Sequence, residues 1–241
     1  MNKKDYIKEF ISKLSNLDRS RSVSTVFNDF LTLSCCSLAQ TVYRNDNLEQ
    51  KYLNIIKTYT KGQAEEFSQL LAFLVLGLEQ APQDFLGQVF MSLNLGSQAN
   101  GQYFTPYSVS KFMAEINFTE IESLQNNQRI TLSEPCCGSG ALIIAFAQTL
   151  REHNINYQQN LFVEAIDISE MCFKMTYIQL SLLGIPAKVV QGDSLSLKFQ
   201  QVLYTPLYFL NGIKLKTENK KSNKENTLNI PTFKTTQLKL F

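Results

Sequence analysis

Histidine is almost missing from this chain: among 241 residues there is one, His153. The five cysteines are an odd count, and four of them stand in adjacent pairs, Cys35-Cys36 and Cys136-Cys137, without zinc-ligand spacing. These read as reduced, cytosolic thiols, and no metal site is expected. His153 reads as an exposed helix-end residue rather than a catalytic base. No run reaches the ~18 apolar residues of a membrane span. The N-terminus, Met1-Asn2-Lys3-Lys4-Asp5-Tyr6, lacks the apolar core of a signal peptide, so a cytoplasmic location and no membrane partner are expected. A broad basic surface is absent as well. Residues 211–241 hold seven Lys and two Glu, a net of +5, which leaves the rest of the chain at −3 within a total of +2.

What is present fits a globular protein. An apolar fraction of 44% and a charged fraction of 18% support one sizeable core with an accessory region. Residues 1–92 read as an all-helical accessory region. Tyr6, Phe10, Ile11 and Leu14 recur at helical spacing, as do Val26, Phe27, Phe30 and Leu31, and Phe67, Leu70, Leu71, Leu74 and Leu78. Asp18-Arg19-Ser20 and Asn45-Asp46-Asn47 are breaks that carry capping residues. Residues 93–210 form the second unit and residues 211–241 a Lys-rich tail, too poor in apolar anchors to fold alone.

The chemistry gathers on one stretch of the second unit, Ile130-Thr131-Leu132-Ser133-Glu134-Pro135-Cys136-Cys137-Gly138-Ser139-Gly140-Ala141. A short apolar strand runs into a glycine-rich turn and then into an apolar helix. Gly138 and Gly140 remove the Cβ atoms that would hold a ligand away from the backbone, and the free N–H groups of the helix start can meet polar or anionic groups. After it the pattern alternates: strand 161–167, helix 169–183, strand 187–191. That alternation implies a parallel sheet flanked by helices, whose ligands sit at the carboxyl ends of the strands. The glycine turn, Asp167 and Asp193 all fall at those ends. Asp167 can accept hydrogen bonds from two ribose hydroxyls, or can cap the following helix. Asp193 can accept from an exocyclic adenine amine, or can serve as a turn residue. No third glycine enters the helix and no Lys-Ser/Thr phosphate loop exists, so an adenosine ligand without a large phosphate charge suits the pocket. Phe104, before Pro106 and a helix start, is either a core plug or a stacking surface for a flat ligand.

Taken together, Gly101-Gln102-Tyr103-Phe104-Thr105-Pro106, Glu134-Pro135-Cys136-Cys137-Gly138-Ser139-Gly140, Asp167-Ile168-Ser169 and Gly192-Asp193-Ser194 resemble the adenine-N6 DNA methyltransferases, most of all the modification subunits of type I restriction-modification systems. The resemblance covers roughly residues 84–210. It implies an α/β, Rossmann-like sheet that binds S-adenosylmethionine, here truncated and preceded by an all-helical region, with DNA as the substrate. By the same resemblance Phe104, Thr105 and Pro106 would hold the methionine end of the cofactor. Glu134, Pro135, Cys136, Gly138, Ser139 and Gly140 would line its carboxylate and ribose. Asp167 would take the ribose hydroxyls and Asp193 the adenine amine.

Two departures stand out. The family's Asn-Pro-Pro-Tyr/Phe loop, which follows the fourth strand and holds the target adenine, is absent. The nearest match is Thr205-Pro206-Leu207-Tyr208, where Thr205 offers only a hydroxyl in place of an amide and Tyr208 stands at the aromatic position; Tyr208 and Phe209 read equally as buried strand residues. The family's remaining strands and DNA-reading domain also have no counterpart in the ~30 residues after Phe209, so target recognition is expected from a partner such as a specificity subunit. The chain ends Gln237-Leu238-Lys239-Leu240-Phe241, which resembles the peptide by which bacterial proteins dock on the DNA polymerase sliding clamp. There, on a flexible tether, Gln237 would supply amide hydrogen bonds and Leu240 and Phe241 would fill an apolar pocket, with Leu238 between them in the peptide; the alternative is a tail that folds back onto the body. The reading is therefore an adenine-N6 methyltransferase, weak or partner-dependent. Its rival is a non-catalytic, DNA-associated binding module recruited through the terminal peptide.

Overall fold

In a computed structural model the described residues are 5–95, 104–121, 129–210 and 236–239, with 119–121 and 236–239 as backbone alone. Gly101, Gln102 and Tyr103 of the quoted motifs, residues 211–235 of the tail, and Leu240 and Phe241 lie outside them. Five helices come first: α1 (Tyr6–Leu17), α2 (Val23–Gln40), α3 (Asp46–Ile56), α4 (Lys61–Gln80) and α5 (Phe85–Ser92). The expected breaks at residues 18–20 and 45–47 fall between α1 and α2 and at the start of α3. Each start carries a side chain that accepts an otherwise orphaned N–H: Asp5 from Lys8, Ser22 from Thr25, and Thr60 from Gln63 in a reciprocal capping box.

α6 (Tyr107–Ile121) leads into a sheet whose elements are β1 (Ile130–Glu134), α7 (Ala141–Glu152), α8 (Tyr157–Asn160), β2 (Leu161–Asp167), α9 (Glu170–Leu182), β3 (Ala187–Asp193), β4 (Lys198–Tyr204), α10 (Pro206–Leu210) and β5 (Thr236–Lys239). The strand order is β4-β3-β2-β1-β5. β1, β2, β3 and β5 are parallel, and β4 returns antiparallel to β3. Period-two alternation separates two faces. Ile130, Leu132, Leu161, Val163, Ala165, Ala187 and Val189 are buried on one, while Thr131, Ser133, Phe162, Glu164 and Lys188 are half-buried on the other.

The apolar face enters a core shared with α7, α9 and the N-terminal helices. The helical region is thus packed into the same core as the sheet. Lys174 of α9, 4% exposed, reinforces the junction. Its ammonium donates to Thr32 Oγ1 at 2.9 Å and Asn28 Oδ1 at 3.2 Å of α2, and pairs with Glu170 at 2.9 Å. Among the described residues no helix is long and apolar enough to cross a membrane.

The Thr205-Pro206-Leu207-Tyr208 segment lies away from the glycine turn, because β4 runs antiparallel to β3, with Lys188 opposite Tyr204. Thr205 therefore meets the start of β3. Its N–H donates to Ala187 O at 3.0 Å, and its hydroxyl accepts from Ala187 N at 2.9 Å and donates to Ile185 O at 2.7 Å. β3 is seven residues long, so its two ends lie about 20 Å apart at ~3.3 Å per residue. Thr205 and Tyr208 are both fully buried, and the Tyr208 ring packs against Tyr204 and Phe162. Thr205, Pro206 and Tyr208 therefore form a structural corner at the edge opposite the glycine turn. The C-terminal peptide follows the alternative of a tail folded back onto the body. Thr236–Lys239, which includes Gln237 and Leu238, is not free backbone but pairs with β1, from Ile130↔Thr236 to Ser133↔Lys239.

Replacing Thr205 by Val should leave the Ala187 N–H without its buried acceptor and lower unfolding free energy by about 1–3 kcal/mol in a urea titration. An unchanged midpoint and slope would contradict this account of the corner.

Candidate functional site

β1 ends at Glu134, and the chain then turns through residues 135–140. Gly138 and Gly140 adopt φ of 55° and 95°, left-handed values that most side chains disfavour. The turn is held from three sides. Cys137 N–H donates to Ile166 O of β2 at 2.9 Å, Gly140 N–H to Cys137 O at 2.8 Å, and the Thr176 hydroxyl of α9 to Gly138 O at 2.8 Å. α7 then starts behind Gly140 with no side-chain cap, so its first N–H groups face the turn without one.

Asp167 closes β2 beside the turn. Its carboxylate accepts the Gly138 N–H at 2.9 Å and the Ser169 N–H at 2.8 Å. Of the two roles open to it, helix capping belongs to Ser169, whose hydroxyl accepts from Cys172 N. Asp167 instead bridges two strand ends. The Cys172 thiol also hydrogen-bonds this carboxylate, and roughly four lone-pair sites on two oxygens leave capacity for a ligand hydroxyl. Burial pushes its carboxyl above the usual range, and the hydrogen bonds from Ser169, Gly138 and Cys172 oppose that shift.

Glu134 is 4% exposed. One oxygen accepts the Cys136 N–H at 3.2 Å, and the other, also buried, has no partner among the described residues. Burial first, and then the nearby Asp167 charge, push this carboxyl up to about 7. An unpartnered buried oxygen at a strand end is costly unless a ligand or water meets it.

Phe104 lies across Gly138. A Cβ built on that glycine would stand 3.2 and 3.3 Å from the ring. The ring is half-buried and packs on Phe90 of α5, with centroids 4.9 Å apart and the rings tilted by 45°. Pro106 O accepts the Val109 and Ser110 amides and so begins α6, leaving Thr105 and Pro106 exposed. Of the remaining residues named from the motifs, Cys136 is exposed, Pro135 half-buried and Ser139 buried.

Asp193 reaches the same edge of the sheet but is occupied locally. It accepts from Leu195 N at 2.8 Å, Ser196 N at 3.3 Å and the Ser196 hydroxyl at 2.8 Å. The Ser196 hydroxyl is the main cause of its carboxyl lying below the ordinary range. It stands here as a turn residue, while the Phe104, Glu134, Gly138 and Asp167 group is brought together.

Three supports escaped the sequence reading: Thr176, Gln179 and the buried side of Asp84. In sequence, Asp84 is a capping residue type just ahead of the apolar Phe85-Leu86, and Gln179 is a lone polar residue between Ile178 and Leu180. Neither pattern alone reveals that both reach Ser139.

Residues 84–234 match the family model of the N-6 DNA methylases. Among solved structures the chain is similar to a class I S-adenosylmethionine-dependent methyltransferase, so described, from Listeria monocytogenes, with 14% identity, a TM-score of 0.41, and coverage of 79% of this chain and 54% of that one. It is similar to DrdV in its cryo-EM complex with DNA, with 12% identity, a TM-score of 0.38 and coverage of 74% and 20%. It is also similar to a type I restriction-modification methyltransferase subunit from Streptococcus thermophilus, with 13% identity, a TM-score of 0.36 and coverage of 75% and 55%. The chain spans about half the length of the first of these. No curated protein matches it.

Glu134 sets a pH dependence. Its carboxyl rises from 4.5 to about 7 on folding, so the folded state keeps a proton that the unfolded chain releases. That contribution is full below about pH 4.5 and is lost as pH rises to about 7, by about 3 kcal/mol. The stability difference between wild type and Glu134→Gln should fall by that order across this window in urea unfolding, and a flat difference would refute the assignment.

Proposed function

Because this chain belongs to the N-6 DNA methylase family, we propose that it binds S-adenosylmethionine at the glycine turn and takes part in methylating adenine-N6 in DNA. The observation that carries the reading is the Gly138–Asp167 bridge beneath the Phe104 ring. It combines a backbone cradle, a carboxylate with spare lone pairs and an aromatic wall at the carboxyl edge of a parallel sheet. The residues present fit the group: a neutral adenosine body with hydroxyls, and a methionine end with an ammonium that the unpartnered Glu134 oxygen can accept.

When bound, the cofactor supplies an electrophilic methyl group. The chain's own residues bind and orient. Asp167 accepts from the ribose hydroxyls, and Glu134, Pro135, Cys136, Gly138, Ser139 and Gly140 surround the ribose and carboxylate. Phe104, Thr105 and Pro106 close over the methionine end. Asp193 is free to meet an adenine amine once its bonds to Ser196 open.

The segment matched to the base-holding loop, Thr205 to Tyr208, is buried at the other end of the sheet and supplies no acceptors to this edge. Methyl transfer accordingly depends on a partner, such as a specificity subunit, that brings DNA and completes the base site. The same displacement favours a second reading, a binding module that does not catalyse. In that reading, recruitment to a sliding clamp through Gln237, Leu238, Leu240 and Phe241 requires the backbone of Thr236–Lys239 to leave β1.

Calorimetric titration with S-adenosylmethionine should give saturable binding that weakens at least about tenfold in Asp167→Ala, because a half-buried, charged acceptor pair is removed. A wild type that does not bind would sink the proposal. Transfer of labelled methyl to DNA, with and without partner subunits, separates the two readings.

A further inference from the structure

α5 begins at Asp84, whose side chain is 3% exposed. One carboxylate oxygen accepts the Gly87 N–H at 3.0 Å and the Gln179 amide at 2.9 Å, and the other accepts the Ser139 hydroxyl at 2.5 Å. Gln179 also donates to Ser139 O at 2.8 Å, and its own oxygen accepts the Leu86 N–H at 3.0 Å. Ser139 sits between the two positive-φ glycines, so its hydroxyl and its carbonyl are both tied to groups outside the turn.

Capping alone does not account for this. Asp5, Ser22 and Thr60 cap α1, α2 and α4 with hydrogen bonds at the exposed surface. A carboxylate taken out of water is costly and persists only where donors replace the solvent. Burial pushes the Asp84 carboxyl up, and its three donors counter that. Space is reserved for the junction too: a Cβ on Gly87 would stand 2.5 Å from the Ser139 hydroxyl. From the same helix, Phe90 supports Phe104, the ring that lies over Gly138.

We propose that Asp84 is a positioning residue for cofactor binding: through Ser139 it holds the Gly138–Gly140 turn in its ligand-ready geometry and makes α5 part of the site. The inference rests on the S-adenosylmethionine reading above. Two glycines in left-handed conformations have many alternatives open to them, and a turn that must be ordered on binding gives up affinity for that ordering. Fixing Ser139 at two atoms removes that loss in advance.

The test is calorimetric titration of the full chain with S-adenosylmethionine, beside thermal melting, for wild type, Asp84→Ala, Asp84→Asn, Ser139→Ala and the Asp84→Ala/Ser139→Ala double variant, at a temperature where each is folded. Asp84→Ala should weaken binding about tenfold to a hundredfold, the scale of a hydrogen bond to a charged group. Ser139→Ala should weaken it in the same direction with a smaller change in melting temperature. The double variant should match Asp84→Ala, because both changes break one link. Asp84→Asn keeps an acceptor for Gly87 and Gln179 and a donor toward Ser139, and should recover most of the affinity. Should Asp84→Ala not fold, Ser139→Ala decides: unchanged affinity there overturns the role. A folded Asp84→Ala that melts lower yet binds like wild type also overturns it, and leaves the cofactor reading intact. A wild type that does not bind removes the cofactor reading itself.

Discussion

The hydrogen bond from the Gly138 amide to Asp167, 2.9 Å long, is the joint on which the candidate site depends. Parallel pairing of β1 with β2 sets Glu134 against Ala165, so the two strand ends emerge side by side at one edge. The turn after β1 would be loose on its own, with two residues at positive φ. Asp167 captures it from the neighbouring strand, and the Cys137 amide to Ile166 adds a second tie. The result is a backbone cradle with a carboxylate at its floor and another, Glu134, at its side. Both carboxyls are pushed up by burial, which puts solvent-deprived acceptors where a ligand with hydroxyl and ammonium groups would meet them.

The helical region acts on this joint from behind. α2 and α3 are pinned to α9 through Lys174, Lys51 and Glu170. α9 in turn supplies Thr176 and Gln179 to the turn, and α5 supplies Asp84 and Phe90. Burial of the linking groups matters more than their number. Surface ion pairs contribute little, whereas Asp84, Gln179 and Lys174 are almost fully enclosed and would leave unsatisfied partners if removed. The helices before residue 92 and the sheet that begins at Ile130 contribute to one core, and the site draws on both.

The corner at Thr205 shows why a local match to a motif is weak where the topology is open. Pro206 and Tyr208 stand at the offsets of a base-holding loop, and an apolar run precedes them. A strand that continued in parallel would have brought them to the ligand edge. The turn at residues 194–197 instead reverses the chain into a hairpin, with Leu197 at φ 56°, and a register shift at Gln191/Gly192 fits β4 against β3. The neighbour of β1 on its other side is then β5, which takes up Thr236–Lys239.

By itself the sequence determined the local units. Short apolar runs gave β1 and β2, the latter at its observed bounds, glycine spacing gave the turn, and the acids at strand ends gave Asp167 its place. These are legible because period, capping and glycine conformation act over a few neighbouring residues. Tertiary structure alone decided which acid bridges and which is spent on its own turn, since Asp167 and Asp193 look alike in sequence and differ only in what lies across from them. It also decided the direction of β4, the pairing of the terminal peptide, and the meeting of Asp84, Ser139 and Gln179 across 95 residues of chain. Those outcomes depend on strand pairing and on burial among distant segments, energies that no short window of sequence contains.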